Sequence, residues 1–166
     1  MHSDQVRFAA VTAPVDPDAE LAGARRRGER RRSHYGVLAV VAAGGAIGAG
    51  ARYGAALLWP TAAGSFPWTT LCVNASGSLV IGILLVALTE VWTAPAWVRP
   101  FFATGVLGGY TTFSTYCLDI ERLVAAGRPE SALGYLAATV LTALAAVTAG
   151  AWATRRLLVD KRAGRA

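Results

Sequence analysis

The sequence predicts an all-α integral membrane protein with four transmembrane helices, the third of which is broken. The 166 residues have a mean hydropathy of +0.43 and are 54% hydrophobic, above the roughly 45–50% that is usual in soluble domains. Only 16% of the residues are charged, and these collect towards the two ends of the chain. Between them lie four apolar segments, each with about the 20 residues that a helix needs to cross a bilayer: residues 37–59, 68–89, 97–117 and 131–153.

The first segment is rich in glycine and carries one charge. Two glycine pairs, Gly44 with Gly48 and Gly50 with Gly54, have the spacing that allows two membrane helices to approach closely. A guanidinium inside a span is costly and normally faces a partner or water. Arg52 is therefore predicted either to have a structural or interface role or to snorkel towards the membrane surface.

Small polar side chains mark the second and fourth segments. Thr70, Asn74 and Ser78 are four residues apart and therefore share one face of the second helix. Tyr135 and Thr139 are one turn apart in the fourth. Each set predicts either a polar track along a pore or ordinary hydrogen bonds, between helices for Asn74 and to the helix's own carbonyls for the hydroxyls.

The third segment contains a stretch that suits a membrane helix poorly. Residues 105–116 include three glycines and four serine or threonine residues. Backbone groups freed by a helix break cannot remain unpaired in lipid, so a break is tolerated only inside protein or where carbonyls hold an ion. A tight packing kink is the alternative, but the density of glycine and threonine favours an ion-binding break.

The charged residues define the domains and the topology. We divide the chain into a disordered basic tail (1–33), a four-helix transmembrane domain (34–156) and a basic C-terminal tail (157–166). Seven Lys or Arg residues near the N-terminus, five near the C-terminus and one in the second connection total thirteen on one side, against two on the other. The positive-inside rule predicts cytoplasmic termini. Basic tails around an apolar body also make nucleic-acid binding a poor explanation of the pI near 10.

Three motifs of the apolar segments stand out: GlyGlyAlaIleGlyAlaGlyAlaArgTyr at 44–53, Thr70 with ValAsn at 73–74 and GlySer at 77–78, and GlyGlyTyrThrThrPheSerThrTyr at 108–116. Together they resemble the CrcB/Fluc family of fluoride channels, and the resemblance covers about residues 37–153. It implies a four-helix subunit of an obligate, antiparallel dual-topology-type dimer with two fluoride pores and a structural or activating sodium ion at the dimer centre. It also implies passive, electrogenic export of fluoride.

The resemblance assigns roles to individual residues. Gly108 and Thr111 are similar to the positions whose backbone carbonyls bind Na⁺. The fluoride path is implied to comprise a pore asparagine with the threonine one turn before it, a pair of aromatic rings and the start of a hydroxyl track: Asn74, Thr70, Phe113, Tyr116, Tyr135 and Thr139. Fluoride is strongly hydrated, so these donors and ring edges would have to replace its water.

Three residues depart from the family pattern. Tyr116 stands where phenylalanine is usual, and we expect its hydroxyl to donate to fluoride or to narrow the path. Ala143 occupies a position where a track hydroxyl is often found. Asp119 replaces a frequent glutamate, and because it lies beyond the predicted break with Glu121, we expect both acids near the membrane surface.

The charge bias leads to a prediction about the partner. A homodimer of this type must insert in both orientations, which requires little Lys/Arg bias, whereas this chain has a bias of thirteen to two. We therefore expect a heterodimer with an oppositely oriented paralogue, in the cell's inner (plasma) membrane with both termini cytoplasmic.

Two other functions are weaker explanations of the sequence. A small multidrug-type exporter couples transport to an intramembrane carboxylate, and the first, second and fourth segments contain none. A non-transporting scaffold would explain the glycines but not a Gly/Thr-rich break beside aromatic rings and Asn74. Because no acid/base pair, nucleophile or metal-ligand motif is evident, we predict that the protein is not an enzyme.

Overall fold

The structure is a computed structural model that describes the backbone of residues 17–159 and the side chains of residues 34–158. Within these ranges every regular element is a helix. The described chain divides between residues 36 and 37 into two units, of which the first contributes only the start of the first helix. The predicted tails fall partly outside the described residues, and the domain division stays a prediction.

Five helices are defined here. Two of them, α2 and α5, continue into π-helical turns, and α3 is π-helical until its last turn. The helices are α1 (Pro17–Leu58), α2 (Trp68–Val86, continued by Ala87–Val91), α3 (Pro100–Leu107 followed by Gly108–Tyr110), α4 (Ser114–Ala125) and α5 (Pro129–Thr154, continued by Arg155–Val159).

Three helices of the described chain are long and apolar enough to cross a membrane: His34–Leu58, Trp68–Val91 and Pro129–Leu158. The all-helical class is therefore confirmed, together with three of the four predicted spans as candidates. The remaining span is divided between α3 and α4, neither of which reaches the length of about 20 residues that a crossing requires. A fourth crossing would need both halves, and it stays a prediction.

The third helix is interrupted where the glycine and threonine pattern places the break. Helix α3 ends at Tyr110, and Thr111 is extended, with φ −73° and ψ 157°. The helical backbone resumes at Ser114. A helix end leaves its last carbonyls without amide partners, so this short gap leaves backbone groups unpaired within an otherwise apolar segment.

Glycines allow two pairs of helices to pack with their backbones in contact. A Cβ on Gly48 of α1 would overlap the carbonyl of Val106 in α3, and one on Gly109 of α3 would overlap the carbonyl of Gly45. On the other pair, a Cβ on Gly82 of α2 would strike the backbone of α5. The expected close-packing role is thus confirmed for Gly44 and Gly48, whereas a Cβ on Gly50 or Gly54 would meet nothing within 4 Å in this chain.

A glycine turn reverses the chain between α4 and α5. Gly127 has φ +71°, the left-handed conformation that favours glycine at the end of a helix. The amide of Arg128 donates to the carbonyl of Leu123 (2.9 Å) and that of Gly127 to Val124 (2.9 Å). Pro129 then begins α5. This turn returns α5 alongside α4 and places Tyr135 against Tyr116.

The packing predicts that two nearby glycines of α1, Gly48 and Gly50, differ in how well they tolerate an added methyl group. Gly48→Ala should lower the free energy of unfolding by about 1–3 kcal/mol, because the added methyl group forces α1 away from α3. Gly50→Ala is the matched control, since its Cβ would meet no atom within 4 Å, and should change stability by less than about 0.5 kcal/mol. Denaturant unfolding in detergent measures both. Equal losses of stability in the two variants would show that the contact of Gly48 with α3 is no tighter than the surroundings of Gly50.

Candidate functional site

An open groove of about 390 Å³ collects most of the predicted pore residues. Helices α2, α4 and α5 and the break all contribute to it. Its lining includes Asn74, Ser78, Thr111, Thr112, Phe113, Tyr116, Thr139 and Ala143. Tyr135 packs against Tyr116 at the side of this groove, whereas Thr70 and Arg52 line a separate cavity of about 260 Å³ that also borders the break. Gly108 lies in the last turn of α3 before the break.

Asn74 holds the break through both ends of its amide. Its Nδ2 donates to the carbonyl of Thr112 (2.9 Å), and its Oδ1 accepts from the amide of the same residue (2.8 Å). These two bonds satisfy the backbone of a residue that lies outside both helices and has no helical partners. Because one of its two N–H groups serves Thr112, Asn74 retains a single N–H for any other acceptor.

The break leaves two carbonyls without their usual helical donors. In a continuous helix the amides of Thr112 and Thr115 would donate to the carbonyls of Gly108 and Thr111. Here the Thr112 amide donates to Asn74, and the Thr115 amide donates to the Thr112 hydroxyl (3.1 Å). Gly108 is also exposed, and a Cβ on it would meet nothing within 4 Å. The two carbonyls freed in this way are those implied to bind a cation.

Arg52 interacts with the end of α3. Its Nε donates to the carbonyl of Gly109 (3.1 Å), one of the last carbonyls before the break. A guanidinium at a helix C-terminus satisfies an unpaired acceptor and opposes the negative end of the helix dipole. Within this chain Arg52 therefore has a structural role at the break.

The two predicted rings are adjacent but have different environments. Phe113 and Tyr116 are 5.7 Å apart, and Phe113 is 76% exposed while Tyr116 is 7% exposed. The Tyr116 hydroxyl donates to the carbonyl of Leu136 on α5 (3.1 Å). Because the hydroxyl proton is committed to α5, donation to fluoride would require this bond to break, and a narrowing of the path by the hydroxyl stays a prediction.

Asp119 is buried within the chain, whereas Glu121 is exposed, and their expected place near the membrane surface stays a prediction. The Oδ2 atom of Asp119 accepts from the Thr70 hydroxyl (2.7 Å) and lies 3.5 Å from the Tyr135 hydroxyl. Asp119 is 7% exposed and Tyr135 is fully buried. Asp119 follows Tyr116 by three positions on α4, so both lie on one helical face. This spacing is the feature of the sequence that could have indicated the burial of Asp119. Thr70 consequently has no free proton to donate to another acceptor while it contacts this carboxylate.

The Thr139 hydroxyl is buried and incompletely satisfied. Thr139 is 7% exposed, and its Oγ1 makes no hydrogen bond of good geometry among the described residues, although the Tyr135 hydroxyl is near enough to interact with it. A neighbouring hydroxyl on the same helix, Thr142, bonds the Ala138 carbonyl of its own helix (2.6 Å). An incompletely satisfied buried hydroxyl costs free energy, so Thr139 is a hydroxyl in the groove that a ligand could satisfy.

Among the described residues no group of three or more His, Cys, Asp or Glu side chains is placed to hold a metal ion. A cation at this site would therefore be held by backbone carbonyls. The groove supplies hydrogen-bond donors, aromatic edges and a narrow polar strip, which suit the binding of a small ion.

Comparisons with known proteins identify the family. Residues 39–151 match the model of the CrcB-like, camphor resistance (CrcB) family. A protein of Streptomyces avermitilis named fluoride-specific ion channel FluC 2 is 60% identical over 141 residues, which span 83% of this chain and 89% of that protein. One of Streptomyces coelicolor named fluoride-specific ion channel FluC 1 is 60% identical over 127 residues, 76% of this chain and 82% of that protein.

A third relative, FluC 3 of Streptomyces avermitilis, is 44% identical over 73% of this chain. The names of these relatives describe channels, which agrees with the prediction that the chain is not an enzyme. The extent of the family match and the identities lead to one conclusion: the chain belongs to the CrcB family of membrane channel proteins.

Proposed function

We propose that the protein is a subunit of a fluoride channel that lets fluoride leave the cytoplasm passively and electrogenically. The observation that carries the proposal is the Thr139 hydroxyl, buried and incompletely satisfied in a groove that also contains Asn74 and two aromatic rings. The similar relatives are named fluoride-specific ion channels, which supports fluoride as the ion.

The groove can replace part of the hydration of fluoride. The Thr139 hydroxyl and the remaining Asn74 N–H are available donors, and the ring of Phe113 is largely exposed so that its positive edge can face an anion. None of these groups carries a full charge that would trap the ion. Thr70 contributes indirectly, by holding Asp119.

We further propose a sodium ion at the carbonyls of Gly108 and Thr111. Both carbonyls have lost their helical donors, and the outer side of Gly108 is open. A bound cation would satisfy these oxygens and add positive potential near the anion path. Because Gly108 faces away from this subunit's own atoms, the ion would lie at the contact with a second subunit, at the centre of the dimer.

The groove and its exposed ring are also consistent with an obligate dimer. Phe113 is 76% exposed although it borders the groove, and an antiparallel partner would cover it. The Lys/Arg bias favours one orientation with cytoplasmic termini in the plasma membrane, so we propose an oppositely oriented paralogue as the partner. Numbered FluC proteins in the relatives' organisms suit such a pairing.

The buried carboxyl group of Asp119 favours one alternative function, a proton-coupled exporter, because such exporters use an acid inside the membrane. The two functions differ in what moves with the ion. A fluoride channel gives a current that reverses at the fluoride equilibrium potential, whereas coupled export shifts that potential with the proton gradient.

Removing the Thr139 hydroxyl tests the proposal. Thr139→Val should lower single-channel fluoride current about tenfold or more, because it deletes a hydrogen bond to an anion while keeping the side chain's shape. Thr142→Val is the control, since that hydroxyl bonds its own helix, and should leave the current unchanged. Planar-bilayer recording of the full channel, with its paralogue co-expressed, is the measurement. Equal currents for wild type and Thr139→Val would remove Thr139 from the path.

The sodium proposal predicts a specific stabilisation. Purified channel should melt at a higher temperature in Na⁺ than in K⁺ or N-methylglucamine at equal ionic strength, because only an ion of suitable size fills the carbonyl site. Thr139→Val, which leaves both carbonyls intact, should keep the same Na⁺ dependence. Identical melting temperatures in all three salts would contradict the site.

The partner proposal predicts a single orientation. A dual reporter fused to the C-terminus should give signal from the cytoplasmic side only, because the basic residues of both tails resist translocation. Replacing the basic residues of both tails by glutamine is the control and should yield both orientations. Substantial signal from both sides with the natural sequence would refute fixed orientation.

A further inference from the structure

Another cavity lies at the end of α4 furthest from the break. It has a volume of about 460 Å³ and is bounded by the loop after α1 and by the last turns of α4. Asp119 and Arg122 supply its charged side chains, and Gly64 and Ser65 line the opposite wall. The cavity and the groove therefore both adjoin the face of α4 that carries Tyr116 and Asp119.

The two oxygens of Asp119 face different partners. Oδ2 accepts from Thr70 and lies near the Tyr135 hydroxyl, and the Tyr135 ring packs 5.3 Å from Tyr116, which lines the groove. Oδ1 lies 3.6 Å from Nη1 of Arg122. The Asp119 side chain is 8% exposed and that of Arg122 is 66% exposed, so the carboxylate is inside and the guanidinium is in the cavity.

A buried carboxylate beside an anion path is an obstacle. Its charge repels fluoride most strongly where water is excluded, because the repulsion is weakly screened there. Arg128, the other basic residue at this end of the helices, donates to the Gly64 carbonyl and has no ion pair with this carboxylate. Arg122 is therefore the cation placed to offset the charge of Asp119 within the described chain.

We propose that Arg122 is a positioning residue for conduction: its guanidinium lies beside Oδ1 of Asp119 and offsets the charge of the carboxylate, so that fluoride can pass between the groove and the cavity. This inference rests on the proposed function and adds a residue that no motif of the sequence singles out. The guanidinium acts through the carboxylate, and it leaves Oδ2 on the hydroxyls of Thr70 and Tyr135.

A charge cycle tests the proposal by single-channel recording of the full channel with its paralogue. Arg122→Gln should lower fluoride current roughly five- to tenfold, because the negative charge of Asp119 is no longer offset. Arg122→Lys keeps the positive charge and should restore at least half of the current. In an Asp119→Asn background, Arg122→Gln should change the current less than twofold, because no charge remains to be offset. A purely structural role for Arg122 would predict the same loss in both backgrounds.

Arg128→Gln is the matched control, because it removes the same charge from the same end of the molecule without touching Asp119. A loss equal to that of Arg122→Gln would show a general surface-charge effect and overturn the proposal. Unchanged current in Arg122→Gln, or an equal loss in both Asp119 backgrounds, would also overturn it. Absence of fluoride current in the unaltered channel would instead refute the proposed function.

Discussion

The structure depends on the pair of hydrogen bonds between the side chain of Asn74 and the backbone of Thr112. A non-helical residue in the middle of an apolar segment exposes an amide and a carbonyl that lipid cannot satisfy. One carboxamide on α2 satisfies both. With the break stabilised in this way, the carbonyls of Gly108 and Thr111 lose their helical donors and become free to bind an ion. The groove, the position of the rings and the proposed cation site all follow from this local arrangement.

Close packing and charge place the remaining groups around the break. Glycines let the backbones of α1 and α3 touch, which brings Arg52 to the last carbonyls of α3. On the other side, the glycine turn at residue 127 returns α5 against α4, so that Leu136 accepts the Tyr116 hydroxyl. Polar groups are therefore paired almost throughout, which makes the incompletely satisfied Thr139 hydroxyl informative about the ligand.

Much of this arrangement could be predicted from residue patterns, and the failures have physical causes. The density of glycine and threonine was sufficient to predict the break, because few residues tolerate one in lipid. The partner of Thr112 was not predictable, because it depends on how α2 packs against the break. The burial of Asp119 within the chain was not predictable, because it depends on hydroxyls from α2 and α5 and on a nearby arginine that make a buried carboxylate tolerable. Whether α3 and α4 together cross the membrane remains a prediction.

Solid-state NMR of the labelled protein in lipid bilayers tests the central claim most directly. The account predicts Cα and Cβ shifts of extended backbone at Thr111, helical shifts at Gly109 and Thr115, and a through-space contact between the Asn74 side chain and the Thr112 backbone. Helical shifts at every position from residue 105 to residue 120, without that contact, would contradict it, because an unbroken helix has no free carbonyls to offer a cation.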